Sequence, residues 1–134
     1  MLTGLDHIGI AVQSIAAVAP VFRALGMTCE GTEDVAEQHV KVAFFRLGDL
    51  RIELLEPTST DGPVARFLAS RGPGVHHVAL ASGDVAADLR RLQAEGLELV
   101  DASPRSGADG KQVAFLHPNS TARVLVELCS PGRP

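Results

Sequence analysis

Residues 6–12 read Asp6-His7-Ile8-Gly9-Ile10-Ala11-Val12, and residues 76–82 read His76-His77-Val78-Ala79-Leu80-Ala81-Ser82. Set over one another at an offset of 70, the two stretches pair His7 with His77 and align small or apolar residues through the four positions that follow. Outward from there the register holds without a gap. Ala16-Ala17 falls on Ala86-Ala87, Ala24 on Ala94 and Gly26 on Gly96. One residue later in offset, Val42-Ala43-Phe44 meets Val113-Ala114-Phe115. After a further three-residue insertion, Ile52-Glu53-Leu54 meets Val126-Glu127-Leu128, and Pro57 meets Pro131. Identities are sparse, but their order and shared spacing mark a chain built from two copies of one unit.

Each copy reads as βαβββ. The opening strands, about 5–12 and 75–81, are apolar and β-branched. In the second copy Val85, Leu89 and Leu92 recur at helical spacing, Asp84 suits the N-cap and Gly96 the C′ position. Ser14 and Gly26 play those parts in the first copy, where Pro20 removes a backbone donor and predicts a kink or a late helix start. Three strands follow each helix, about 28–33, 39–47 and 50–57, then 97–101, 111–116 and 123–129. Gly48-Asp49 reads as a hairpin turn. A linking helix, about 61–71 and opened by Pro63, presents Val64, Phe67 and Leu68. The expected class is α+β, one domain over 1–134, with module one at about 3–58 and module two at about 74–131.

Strand alternation gives the repeated polar residues a direction. His7 shares a face with Gly9 and Ala11, and His77 with Ala79 and Ala81, so the positions beside each imidazole are small. Glu53 and Glu127 point away from their apolar neighbours and need partners if they face a core. A single His or Glu on a strand is ordinarily a solvent-facing residue. Recurrence of both types at equivalent positions weakens that account. His7, Glu53, His77 and Glu127 together offer the nitrogen and oxygen donors suited to Co²⁺, Mn²⁺, Ni²⁺, Zn²⁺ or Fe²⁺. By alternation His76 faces the other way and reads as structural, His39 as exposed, His117 as a turn or site-mouth residue, and Glu37 and Glu56 as solvated.

The bulk properties narrow the function classes. In 134 residues there are five Phe but no Tyr or Trp, so Val, Leu, Ala and Ile build the core. The net charge of −4, with no basic run, argues against a nucleic-acid partner. No stretch approaches the ~18 apolar residues of a membrane span. Met1 to Asp6 carry neither a basic nor an apolar signal region. With Cys29 and Cys129 read as two reduced, buried thiols, a cytoplasmic protein is expected.

These stretches, with Arg51-Ile52-Glu53-Leu54-Leu55-Glu56-Pro57, Gly74-Val75-His76-His77-Val78-Ala79 and Phe115-Leu116-His117-Pro118, resemble the vicinal oxygen chelate superfamily and, within it, the methylmalonyl-CoA epimerase family. The resemblance runs almost end to end. It implies a cupped, barrel-like mixed sheet around a metal, cobalt by the family's habit. It also implies an acyl-CoA thioester substrate, 1,1-proton transfer through an enolate in propionate metabolism, and a homodimer. Glu127 is then a candidate for one proton-transfer role. Some family members carry a catalytic Glu where this chain has Val42, which leaves the second role open between Glu53 and, less favourably, Lys41. Arg105, Lys111 and Arg123 are candidates for the CoA phosphates. Ala122-Arg123 stands where the family often has small residues.

Glyoxalase I, with a His/Glu/His/Glu quartet on the same fold, is the main rival, and a metal-free binding or resistance protein is another. A ring-cleaving dioxygenase would lack its usual Tyr.

Overall fold

The computed structural model describes residues 1–131. They form eight strands and three α-helices and divide into two compact units. One is contiguous, His7–His76; the other joins Met1–Asp6 to the chain from His77 onward. The α+β class and the paired βαβββ order expected from the repeat are both present.

In the contiguous unit, the end of β1 (Leu2–Ala11) leads into α1 (Ile15–Ala24), β2 (Thr28–Val35), β3 (Val40–Leu47), β4 (Leu50–Pro57) and α2 (Pro63–Arg71). The strand order is β2-β3-β4-β1, antiparallel except for the parallel β1–β4 pair. Ser14 caps α1, its Oγ accepting from the Ala17 N–H at 3.2 Å, and Gly26 ends it at φ +99°. The helix does not start late: it begins at Ile15 and runs through Pro20. Another orphan donor of the first turn, the Ile15 N–H, is met by Oε1 of Glu56 at 2.6 Å. Glu56 is therefore a helix cap and not the solvated side chain expected. Val12, Ile15, Ala19, Met27, Phe45 and Leu54 form the core beneath α1. Val64 and Leu68 of α2 are buried as expected.

The other unit contains β5 (Gly74–Ser82, from His77 on), α3 (Val85–Ala94), β6 (Arg105–Ser106), β7 (Gln112–Leu116) and β8 (Val126–Cys129), in the order β5-β8-β7-β6. Asp84 caps α3 through the Ala87 N–H at 3.0 Å, and Gly96 at φ +94° mirrors Gly26. The register repeats that of the first module. Gly9 and Phe44 lie opposite Glu53, and Ala79 and Phe115 lie opposite Glu127.

Two strand expectations fail here. Residues 97–101 make only a single bridge, Leu99 to Leu116. The Asp101 carboxylate accepts the Phe115 N–H at 2.9 Å, taking the donor that a longer ladder would use. The last strand starts at Val126 rather than 123, because Ala122 and Arg123 hold φ of 55° and 68° and the Arg123 N–H turns back to the Pro118 carbonyl at 2.8 Å.

Candidate metal and active site

All four quartet residues are buried. In the contiguous unit, Nδ1 of His7 on β1 lies 3.3 Å from Oε2 of Glu53 on β4. In the other unit, Nε2 of His77 on β5 lies 3.6 Å from Oε2 of Glu127 on β8. Small residues make room for both pairs, since each Glu faces Gly9 or Ala79 across the parallel ladder.

The spacing and donor chemistry fit a metal. Two ligand atoms each about 2.1 Å from one ion stand roughly 3.0 to 3.4 Å apart for octahedral to tetrahedral angles. The observed separations fall at or close to that range, and they are longer than the ~2.8 Å usual for a charged hydrogen bond. Phe115 packs edge-on against the His77 ring, centroids 5.8 Å apart, and restrains its orientation.

The remaining candidates sort clearly. Val42 is buried opposite Leu55 and, by register, on the Glu53 face, where it offers no proton; Lys41 faces away. His76 is structural: it meets Phe67 edge-on at 5.2 Å, and burial followed by the charge of Arg71 lowers its pKa to about 4. His39 is exposed at a left-handed φ of 53°. His117 takes the turn role, Nδ1 accepting the Asn119 N–H at 3.1 Å. Both cysteines are free, but only Cys129 is fully buried; Cys29 is half-buried. Burial, then the Asp6 and Glu127 carboxylates, push the Cys129 thiol up, so it is inert.

Arg105 and Arg123 are exposed, whereas Lys111 is not. Its ammonium is buried and sits 2.6 Å from Oδ2 of Asp6, which removes it from any phosphate-binding surface. Sequence reasoning missed this pair. The signal was present in the repeat, because Lys111 aligns with the apolar Val40 of the first module.

The profile of the Glyoxalase/Bleomycin resistance protein/Dioxygenase superfamily matches residues 6–115. The uncharacterized protein YqjC of Bacillus subtilis (strain 168) is 44% identical over 95% of this chain and 91% of its own length. The ethylmalonyl-CoA/methylmalonyl-CoA epimerase of Cereibacter sphaeroides is 36% identical over 96% of this chain and 98% of its own. A solved methylmalonyl-CoA epimerase in complex with methylmalonyl-CoA and NH4+ matches with a TM-score of 0.92 and 37% identity, covering 97% of this chain and 95% of that one. The repeated fold, the paired His–Glu sites and these matches lead to one assignment: the chain belongs to the glyoxalase/bleomycin resistance protein/dioxygenase superfamily, among relatives that include the methylmalonyl-CoA epimerases.

Proposed function

We propose that this chain is a metal-dependent methylmalonyl-CoA epimerase, interconverting the (2R) and (2S) thioesters, with His7, Glu53, His77 and Glu127 as the ligands of one divalent ion. The observation that carries the reading is the duplicated buried His–Glu pair, at 3.3 and 3.6 Å. Either pair alone offers two donors, too few for a catalytic ion; the two repeat-equivalent pairs together offer four. The substrate class rests on the epimerase relatives and on the solved complex with methylmalonyl-CoA. In this reading the two modules work as one domain across residues 1–134.

A bound divalent ion would supply Lewis-acid stabilisation of the charge that develops on the thioester carbonyl as the α-proton leaves. The protein's own groups do the rest. Phe115 holds the His77 ring, and the burial of each His–Glu pair beside the small Gly9 or Ala79 strengthens the electrostatics within that pair. Of the quartet, the carboxylates Glu127 and Glu53 are able to exchange a proton with the α-carbon. Glu127 is assigned to one face of that carbon. Epimerisation needs a second group on the other face.

Cobalt is the proposed native ion, from the family resemblance and the N/O donor set. A cytoplasmic location is supported by the two free thiols, Cys29 and Cys129. Among the described residues no helix is long and apolar enough to cross a membrane. A homodimer is part of this reading on the family resemblance alone.

The test is to incubate the metal-loaded protein with single-epimer methylmalonyl-CoA in D₂O. Exchange of the α-proton with formation of the other epimer is expected. No exchange, alongside turnover of the methylglyoxal–glutathione hemithioacetal, would replace this reading by glyoxalase I.

A further inference from the structure

Arg105 is where the two modules differ in charge on the face that carries a His–Glu pair. It pairs with Val113 in the β6–β7 ladder, as Glu33 pairs with Val42 in the first module. Val113 and Val42 are repeat equivalents, so the same rung holds a guanidinium in one copy and a carboxylate in the other. Residues directly opposite in a ladder share a face, and so do alternate residues along a strand. Arg105 therefore shares a face with Val113, Phe115 and Glu127. The chain after β6 is held close to β7. The Gly107 N–H donates to the Lys111 carbonyl at 2.9 Å, and a Cβ on Gly107 would come within 2.7 Å of Val113 Cγ1. Glycine at 107 permits that approach.

The Arg105 side chain is anchored, yet its donors stay open. Its Cζ lies over the Phe115 ring, 5.4 Å from the centroid. Its Nε stands 3.5 Å from Oδ2 of Asp101, the same oxygen that accepts the Phe115 N–H. Among the described residues the side chain makes no other ion pair or hydrogen bond, so both terminal nitrogens keep their donors. It is 45% exposed, and an ion pair this open and this long adds little to stability. Lys111, by contrast, is engaged by Asp6. Phe115 in turn meets His77 edge-on. The two ring contacts, 5.4 and 5.8 Å, put the guanidinium no more than about 11 Å from the centre of the His77 imidazole. A planar guanidinium with free terminal donors matches the two oxygens of a carboxylate.

We infer that Arg105 binds an oxyanion of the acyl-CoA substrate, namely the free carboxylate that a methylmalonyl thioester carries on its α-carbon. It thereby selects such diacid thioesters over plain acyl thioesters. The inference rests on the epimerase reading and names what that site recognises. The carboxylate is one bond from the reacting carbon, so a cation that recognises it must stand near the His77–Glu127 pair, as Arg105 does. The phosphates of CoA are oxyanions too, but they lie at the far end of the long pantetheine arm. Arginine holds its charge throughout and transfers no proton, so its part is to orient the α-carbon and to discriminate between acyl groups.

The test uses the metal-loaded protein and its Arg105→Gln variant, with equilibrium binding of three thioesters read by titration calorimetry. Methylmalonyl-CoA carries the carboxylate and the phosphates, methylmalonyl-pantetheine only the carboxylate, and propionyl-CoA only the phosphates. The variant is expected to bind both methylmalonyl thioesters about 10- to 100-fold more weakly, the scale of a lost charge-assisted hydrogen bond, and propionyl-CoA as before. Loss confined to the two CoA thioesters would overturn the carboxylate assignment in favour of the phosphates. Equal loss on all three would mark a structural defect, and binding within about threefold of wild type on all three would show that Arg105 holds no oxyanion; either overturns the inference. Wild-type interconversion of single-epimer methylmalonyl-CoA is measured alongside. Its absence would overturn the epimerase reading, while the binding pattern decides Arg105 separately. A wild-type protein that binds none of the three would overturn both.

Discussion

Replacing Ala122 and Arg123 together by glycine should make the protein more stable. Both residues sit at positive φ, 55° and 68°, in the turn that leads into β8. A left-handed backbone costs a residue with a Cβ roughly 1–2 kcal/mol. Glycine removes that penalty but returns about 0.5–1 kcal/mol through the greater freedom of its unfolded chain. The net gain is about 0.5–1 kcal/mol per position, or about 1–2 kcal/mol for the pair. Both side chains are exposed, so little packing is lost. At about 4 °C per kcal/mol for a domain of this size, the midpoint should rise by roughly 4–8 °C. Thermal unfolding followed by circular dichroism reads this directly. Ala122→Val, β-branched at the same positive φ, should move the midpoint down. An unchanged or lower midpoint in the double glycine variant would refute the strain argument.

Three further outcomes follow from the structure. Glu56→Ala removes the carboxylate that meets the Ile15 N–H; it should cost about 1.5–3 kcal/mol in urea unfolding, and an unchanged midpoint would show that the cap contributes nothing. His76 has a folded-state pKa of about 4, below its unfolded value of 6.5, so its contribution is present above pH 6.5 and is lost as pH falls toward 4. Chelator-treated protein should therefore lose about 2 kcal/mol from this group between pH 7 and pH 5. His76→Asn should show a correspondingly flatter acid limb, and identical limbs would exclude the histidine as the cause. His77→Ala should take divalent-ion binding, read by elemental analysis and titration, from one equivalent to none while leaving the circular dichroism spectrum intact. Retained stoichiometric binding would remove His77 from the ligand set.

Much of this molecule is legible in its sequence, for a physical reason. Duplication shows the same constraint twice, so His7 and His77, or Glu53 and Glu127, can be recognised without another sequence for comparison. The caps at Ser14 and Asp84 and the stops at Gly26 and Gly96 were likewise readable, because they answer local backbone needs. The failures lie where a distant group settles a local question. Glu56 looked solvated because its partner, the Ile15 N–H, is 41 residues away. Lys111 looked like a surface cation because Asp6 is 105 residues away. The strand expected at 97–101 gave way to a side chain, Asp101, competing for the Phe115 N–H, a contest that strand propensity does not register.

The division of β1 between the units bears on the order of assembly during synthesis. Residues 7–76 form a contiguous unit and can collapse as soon as they leave the ribosome. The other unit is built from both ends of the chain: Leu2 packs with the cluster around Leu89 and Leu128, and Asp6 waits for Lys111. Its closure carries the entropy of a long loop, so it is the slower event. Until then the amino-terminal strand stays incomplete, and an extension or fusion placed there would interfere with the last step of folding more than with the first.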